Sequence, residues 1–424
     1  MININTNKTL NIILPNTNKA LKEVLESSSP KELQALSSGK DLKSIVNDIL
    51  SQTSKNSSQD KMLLDLVKNN PTFKELGSVI SSAKELLSLL KQDKSPLPLE
   101  KQLQNLLGNI KDINEKGLQS KIENSGLFLE NKLKNIQTPR EELRTLTTQL
   151  STTLQDTKLP NLKAINAQLQ ELLNSDAFKS INSKELLTNV KVDIATLTQL
   201  SKSVGTLLDK ITQRLDSPLD KSISPKDVLY SKDTQNLLDK LQLLNTPQKL
   251  QMQTKLQELF SNDLKSVLHK AQEELTNSNH PNKQELLKHI DKLSLQIDYH
   301  QLVSHLSNAT SLYIPYSWDA LEDGNITMKN LKDGKFFTDI ELQLKEYGSL
   351  KLRLGMFEEN QLNINITAQS SEFKKILQEN MSQLRQQLYD VGITPKEIRF
   401  LDDKSANAYG GDSSGLALGF EVKA

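Results

Sequence analysis

The chain has 424 residues, with 53 basic against 52 acidic side chains and a formal net charge of +1, so it lacks the basic footprint of a nucleic-acid binder. Hydrophobic residues make up 36% and aromatics 4% of it, a composition that favours thin helical seams over one large core. It contains no cysteine, which excludes disulfides, thiol nucleophiles and cysteine metal sites. That absence fits a cytosolic protein that happens to lack the residue, and equally a chain that crosses a membrane unfolded.

The first segment, MININTNKTLNIILPNTNKA, is rich in Asn and Thr and carries one apolar patch, Leu10 with Ile12–Leu14. It has no long apolar stretch or cleavage site of a general-secretory signal. Residues 1–30 therefore read as a flexible leader that adds little burial, closed by Ser27-Ser28-Ser29-Pro30. No run of 18 apolar residues occurs, so no membrane insertion is expected.

Residues 31–307 form a Leu/Lys/Gln-rich helical tract. Leu143, Leu146 and Leu150 share one helical stripe, as do Leu162, Ile165, Leu169 and Leu172. Breaks fall at Lys94–Pro98, Thr138-Pro139, Leu159-Pro160, Ser217-Pro218, Ser224-Pro225, Thr246-Pro247 and His280-Pro281. Proline after Ser or Thr suits the first helical position after a cap, so several of these are helix starts as well as stops. The heptad register never lasts four heptads, and the tract reads as elongated and partly flexible.

From Leu312 the period changes. LYIPYSW (Leu312–Trp318) and Ile326–Leu331 are short strand candidates, and Lys335–Lys345 alternates through Ile340, Leu342 and Leu344. In GSLKLRLGMFEENQLNINITAQS, Leu350, Leu352, Leu354 and Met356 alternate with polar residues or glycine. After the turn at Glu358-Glu359-Asn360, Leu362, Ile364 and Ile366 do the same, which predicts a hairpin with one apolar face. A helix follows, with Ser370 or Ser371 as its cap and a buried stripe of Phe373, Ile376, Leu377, Met381, Leu384 and Leu388. Gly392 suits the residue past its end, where φ is positive, and Ile398 and Phe400 suit a closing strand. The order is strand, strand, strand, helix, strand: a compact α+β module over 308–403. Thirteen of the eighteen aromatics lie at or after Tyr299, which places the densest core there. Residues 404–424 read as a loose linker and tail, although LALGFEVKA alternates once more. The expected fold is thus mainly α with a C-terminal α+β module.

Little points to catalysis. The five histidines (His269, His280, His289, His300, His305) fall into no HExxH pattern, and His300 and His305 are five apart, on different sides of a helix. Gly410–Gly415 lacks the lysine and the strand-to-helix setting of a phosphate loop. No Gly-x-Ser-x-Gly elbow occurs. The acidic pairs Glu141-Glu142, Glu358-Glu359 and Asp402-Asp403 sit where dipole compensation or solvation explains them. No catalytic residue, cofactor or metal is expected.

Tyr347-Gly348-Ser349-Leu350-Lys351-Leu352-Arg353-Leu354 resembles the "Leu-Gly-x-Val-x-Val-x-Leu" element of the C-terminal domain of flagellar hook-length control proteins, with Tyr347 in place of the usual Leu. The strand Leu362–Thr367 and the helix pattern Leu377, Met381, Leu384, Arg385, Leu388, Gly392, Ile393 follow at matching spacing, so the resemblance covers about 335–402. A second echo, Ser125-Gly126-Leu127-Phe128-Leu129-Glu130-Asn131-Lys132-Leu133, is similar to an "SGLF-x-E-x-(Lys/Arg)-Leu" segment in the N-terminal halves of many members. The resemblance implies a non-enzymatic regulator that starts in the cytoplasm and leaves through the flagellar type III export channel, using residues 1–30 as an uncleaved signal. The tract 31–307 would act as the ruler. The C-terminal module would meet the cytoplasmic domain of the export-gate switch protein and turn export from rod and hook to filament subunits; hook and hook-cap proteins are further implied partners. Leu350, Leu352 and Leu384 are the partner-binding candidates carried over from the family pattern. About 280 tape residues would reach about 420 Å as a helix and about 900 Å extended. The alternative is a cytosolic helical scaffold or adaptor with a C-terminal protein-binding module, distinguished by whether the chain is secreted.

Overall fold

Apolar side chains at three- and four-residue spacing, stopped by Asn, Asp, Ser and Pro, set most of the helices. The computed structural model describes residues 18–37, 58–92, 99–155, 160–175, 178, 183–216, 232–244, 260–330, 335–357 and 360–401. In chain order the helices are α1 (Lys19–Ser27), α2 (Pro30–Ser37), α3 (Ser58–Asn69), α4 (Pro71–Lys74), α5 (Val79–Gln92), α6 (Leu99–Leu106), α7 (Glu115–Glu123), α8 (Leu129–Gln155), α9 (Pro160–Asn174), α10 (Ser183–Asp216), α11 (Lys232–Leu244), α12 (Leu264–Thr276) and α13 (Lys283–Ser307). Strands β1 (Thr310–Tyr313), β2 (Leu321–Asn330), β3 (Phe336–Leu344), β4 (Gly348–Phe357) and β5 (Gln361–Ala368) follow. Helices α14 (Ser371–Glu379) and α15 (Met381–Asp390) then lead to β6 (Thr394–Phe400). The chain divides into one unit of Met1–Glu130 with Asp263–Ala424 and a second of Asn131–Asn262.

In the first unit α13 is the central element. Its N-terminal half offers Leu286, Ile290, Leu293 and Ile297 to a cluster with Leu86, Leu90, Leu103 and Leu268. Its C-terminal half offers Leu302, Val303 and Leu306 to Ala20, Leu21, Val24, Leu63 and Val67. A helix buried on several sides needs no single apolar stripe, which is why the pattern of α13 is diffuse in sequence. At Asn308, with φ 52°, the chain leaves the helix through a left-handed residue and enters β1 two residues later.

The expected flexible leader contains an ordered element. Residues 1–17 lie outside the described residues, but α1 is capped by Asn18, whose side-chain oxygen accepts from Leu21 N–H at 2.8 Å. Ala20, Leu21 and Val24 are buried. The Asn/Thr bias hid an Ala20-Leu21-Val24 face one helical turn wide, so this end of the leader contributes burial after all.

In the second unit the stripes act as read. Leu143, Leu146, Leu150, Leu162, Ile165 and Leu169 are buried in one cluster with Leu197, Leu200, Val204, Leu208 and Leu241, and Leu172 is half-buried against it. Ser151 Oγ donates to Asn166 Oδ1 at 2.7 Å inside this seam. The breaks at Lys94–Pro98, Ser217-Pro218, Ser224-Pro225 and Thr246-Pro247 lie outside the described residues, whereas α8 runs through the expected break at Thr138-Pro139 without stopping.

The sheet has the order β1-β2-β3-β4-β5-β6, antiparallel throughout except for the parallel β5–β6 pair. That parallel step needs a crossover, which α14 and α15 supply. The fold is therefore mainly α with a C-terminal α+β module, as the sequence predicts. Two details differ. The expected single helix breaks at Asn380, and its stripe is half-buried rather than buried, with Ile376 exposed. A sequence stripe reports which side faces the sheet, not how completely two short helices can cover it. Strand β1 is also buried along its whole length and packs on α13, tying the sheet into the helical unit.

Candidate functional site

Strand β4 lies at the middle of the C-terminal module, and its register aligns one apolar face across the sheet. Leu350 sits opposite Leu342 and Ala368, Leu352 opposite Ile340 and Ile366, and Leu354 opposite Thr338 and Ile364. The opposite face is polar: Arg353 Nε pairs with Asp339 Oδ1 at 2.8 Å across the same strands. Phe337 and Phe357 meet edge-to-face there, at 5.9 Å between centroids.

Three local devices hold the helices over the apolar face. Ser370 caps α14 by accepting from Phe373 N–H. Tyr347, at the β3–β4 turn, stacks on Phe373 at 4.5 Å and 13° between planes, so the tyrosine that replaces the usual leucine has a ring partner of its own. At the far end α15 stops in a Schellman arrangement. Gly392 N–H donates to Tyr389 O at 3.0 Å and Ile393 N–H to Leu388 O at 2.9 Å, with Gly392 at φ 77° as expected. Leu388 and Ile393 both pack on the sheet core, and Arg385 Nη1 donates to Pro395 O at 3.3 Å, fixing α15 to β6.

The three sequence-predicted contact residues fall into different environments. Leu350 is only 7% exposed and belongs to the core. Leu352 is half-buried and packs on the same cluster, so the structure brings these two together. Leu384 is half-buried on α15 and lies outside that cluster. The helix pair also exposes Ile376, Tyr389 and Val391, at 37%, 53% and 70%. Ile376 was expected inside, and the other two carried no sequence signal because helix-end apolar residues read as cap packing. What this surface can do chemically is bind, through apolar contact framed by amide and carboxylate groups.

No group of three or more acidic or histidine side chains among the described residues could hold a metal ion. Burial holds the His300 imidazole well below its ordinary value, at about 4, and its Nδ1 lies 3.3 Å from Ser311 Oγ. The half-buried His289 has its Nδ1 3.6 Å from the exposed Glu85. Glu358-Glu359, Asp402-Asp403 and Gly410–Gly415 lie outside the described residues.

Residues 324–408 match the family model described as flagellar hook-length control protein FliK. The match covers about a fifth of the chain and spans most of β2 through β6, including every residue on which the sequence resemblance rests at 335–402. The C-terminal module is therefore of the hook-length control type. Neither the comparison with curated proteins nor that with solved structures gives a match.

Proposed function

We propose that this chain sets flagellar hook length as an exported regulator and switches the export apparatus from rod and hook subunits to filament subunits. The family match on the C-terminal module carries this reading, together with the ordered set of β4, β5, the capped helix pair and Gly392 within it. The N-terminal residues serve as the uncleaved export signal, and the helical residues between signal and module serve as the tape. The module is the switching end, and its apolar helix surface around Leu384 meets the cytoplasmic domain of the export gate. Hook and hook-cap proteins are the partners met during passage. Thin helical seams and the lack of disulfides keep unfolding for export inexpensive, and no described helix is long and apolar enough to cross a membrane.

The test is secretion together with hook length. The chain should be released into the medium by strains with a functioning hook-basal body, and deletion of its gene should give hooks of uncontrolled length that lack filaments. A chain retained in the cell, with hooks of ordinary length in the deletion strain, would exclude this function and favour the cytosolic adaptor.

A further inference from the structure

The segment Ser125–Glu130, which the C-terminal reading leaves unexplained, surrounds a buried lysine. Lys265, in the first turn of α12, is fully buried, and its Nζ lies 2.6 Å from Glu130 Oε1 and 2.6 Å from Asp298 Oδ1. It also donates to Gln301 Oε1 at 2.8 Å. Gln301 Nε2 donates in turn to Glu130 and to Leu127 O. Gly126 makes the approach possible: at φ 91° it has no room for a side chain, because a Cβ there would lie 2.8 Å from Lys265 Cβ and 3.0 Å from Ile297 Cγ2. Ser125 O accepts from the buried Tyr313 hydroxyl at 2.6 Å, and Leu264 N–H donates to Asn124 O at 2.9 Å.

The same cluster reaches the N-terminal helix. Asp298 Oδ2 accepts from Lys19 N–H at 2.7 Å, at the positive end of α1. Asn18 Nδ2 donates to Asp298 O at 3.1 Å and to Gln301 Oε1 at 3.3 Å. Four separate stretches therefore share one dry set of charges: the start of α1, the Ser125–Glu130 segment, the first turn of α12 and the middle of α13. The chain leaves the first unit after Glu130 and returns at Asp263, so Glu130 and Lys265 join the two ends of the 131–262 stretch.

Apolar side chains could hold these stretches at least as tightly, since a buried ion pair gains little over a well-packed apolar replacement. What charges add is conditionality. If the first turn of α12 departs, Glu130 and Asp298 lose their shared cation, and if α1 departs, buried Asp298 loses the donors from Lys19 N–H and Asn18; both are costly. We propose that Glu130, Lys265, Asp298 and Gln301 form a release latch. Closed, it keeps α1 docked and the two ends of residues 131–262 side by side; its opening frees both together. On the export reading, which this extension alone rests on, opening lets residues 131–262 add reach that their joined ends withhold while the latch is closed.

Hydrogen exchange on the full-length purified chain tests the latch independently of export. Glu130→Gln and Lys265→Met should each raise exchange at least about tenfold in Lys19–Ser27, Leu127–Glu130 and Lys265–Lys270 together. Strands β3–β5 should keep their protection. Lys19→Gln, which removes only the outer pair with Asp291, should leave Lys265–Lys270 unchanged. Exchange that rises in the mutated stretch alone would overturn the proposal. So would an equal loss in β3–β5, which would make the cluster a general stability element. Glu130→Gln keeps the Lys265–Asp298 contact and decides the matter if Lys265→Met does not fold.

Discussion

Leu350 and Leu384 separate packing from contact, and the difference is measurable. Leu350 is 7% exposed between Leu342 and Ala368, so Leu350→Ala removes a core side chain at a cost of about 2–5 kcal/mol, transfer and cavity together. Leu384 is half-buried outside the sheet cluster, and truncating it costs about 1 kcal/mol. The chain's single tryptophan, Trp318, packs on that cluster and stacks on Tyr316 at 6.0 Å, so its fluorescence reports this unit. With a urea slope of about 3 kcal/mol per M, a loss of about 3 kcal/mol moves the midpoint by about 1 M, and a loss of about 1 kcal/mol by about 0.3 M. Leu384→Asp should therefore leave a folded chain by that criterion while hooks lose their length control in a complemented deletion strain. The reasoning fails if Leu384→Asp lowers the midpoint as far as Leu350→Ala, or if it leaves hook length normal. A Leu350→Ala chain with an unmoved midpoint and uncontrolled hooks would make Leu350 the contact residue instead.

Graded deletions within residues 131–262 should shorten hooks in proportion to the residues removed, by between about 1.5 Å and about 3.3 Å each, as read by electron microscopy of isolated hook-basal bodies. Unchanged, well-controlled hooks across the series would remove the ruler role from this stretch. Gly126→Ala, which puts a Cβ against Lys265 and Ile297 at a positive φ, should destabilise the first unit by about 2–4 kcal/mol in the same urea assay. Deleting residues 2–30 should abolish secretion and, by stripping buried Leu21 and Val24 from α13, also lower the midpoint by about 1 M or more. His300 is held neutral by burial, its value lowered from the ordinary 6.5 to about 4. The stability it contributes is thus present above about pH 6.5 and lost as pH falls toward 4. The drop in urea midpoint from pH 7 to pH 4 should accordingly be smaller for His300→Gln than for the unaltered chain.

The parts of the fold legible in sequence were those governed by local rules. Alternation gave β3, β4 and β5, Ser370 gave the cap, and Gly392 gave the left-handed stop, because each depends on neighbours within a few residues. What escaped depended on distant partners. Lys265 lies in LKSVLHKAQ, where a lysine reads as solvated; only Glu130, Asp298 and Gln301 from other stretches make its burial possible. The clue was Ser125-Gly126-Leu127-Phe128 with Glu130 just after, a glycine where a helix start needs none. The break at Asn380 was invisible because the apolar stripe runs through it unbroken. Leu350 and Leu384 looked alike in pattern because periodicity assigns a side, whereas burial depends on what the rest of the chain lays over it.

Strand β1 bears on how the C-terminal module can be handled. The stretch that matches the family begins at Gly324, inside β2 and past β1. In the whole chain one border of the sheet is sealed by β1 beneath α13, and the other, β6, carries Pro395, Lys396 and Arg399, residues that discourage strand addition. A fragment trimmed to the family limits would exchange that sealed border for a raw one, presenting Ile326 and Met328 beside unpaired backbone amides. Such a piece would pair with itself, or with any strand offered to it. Pull-downs made with it would report stickiness created by the scissors; the whole chain, which keeps β1 on the sheet and the other helices over α13, would not.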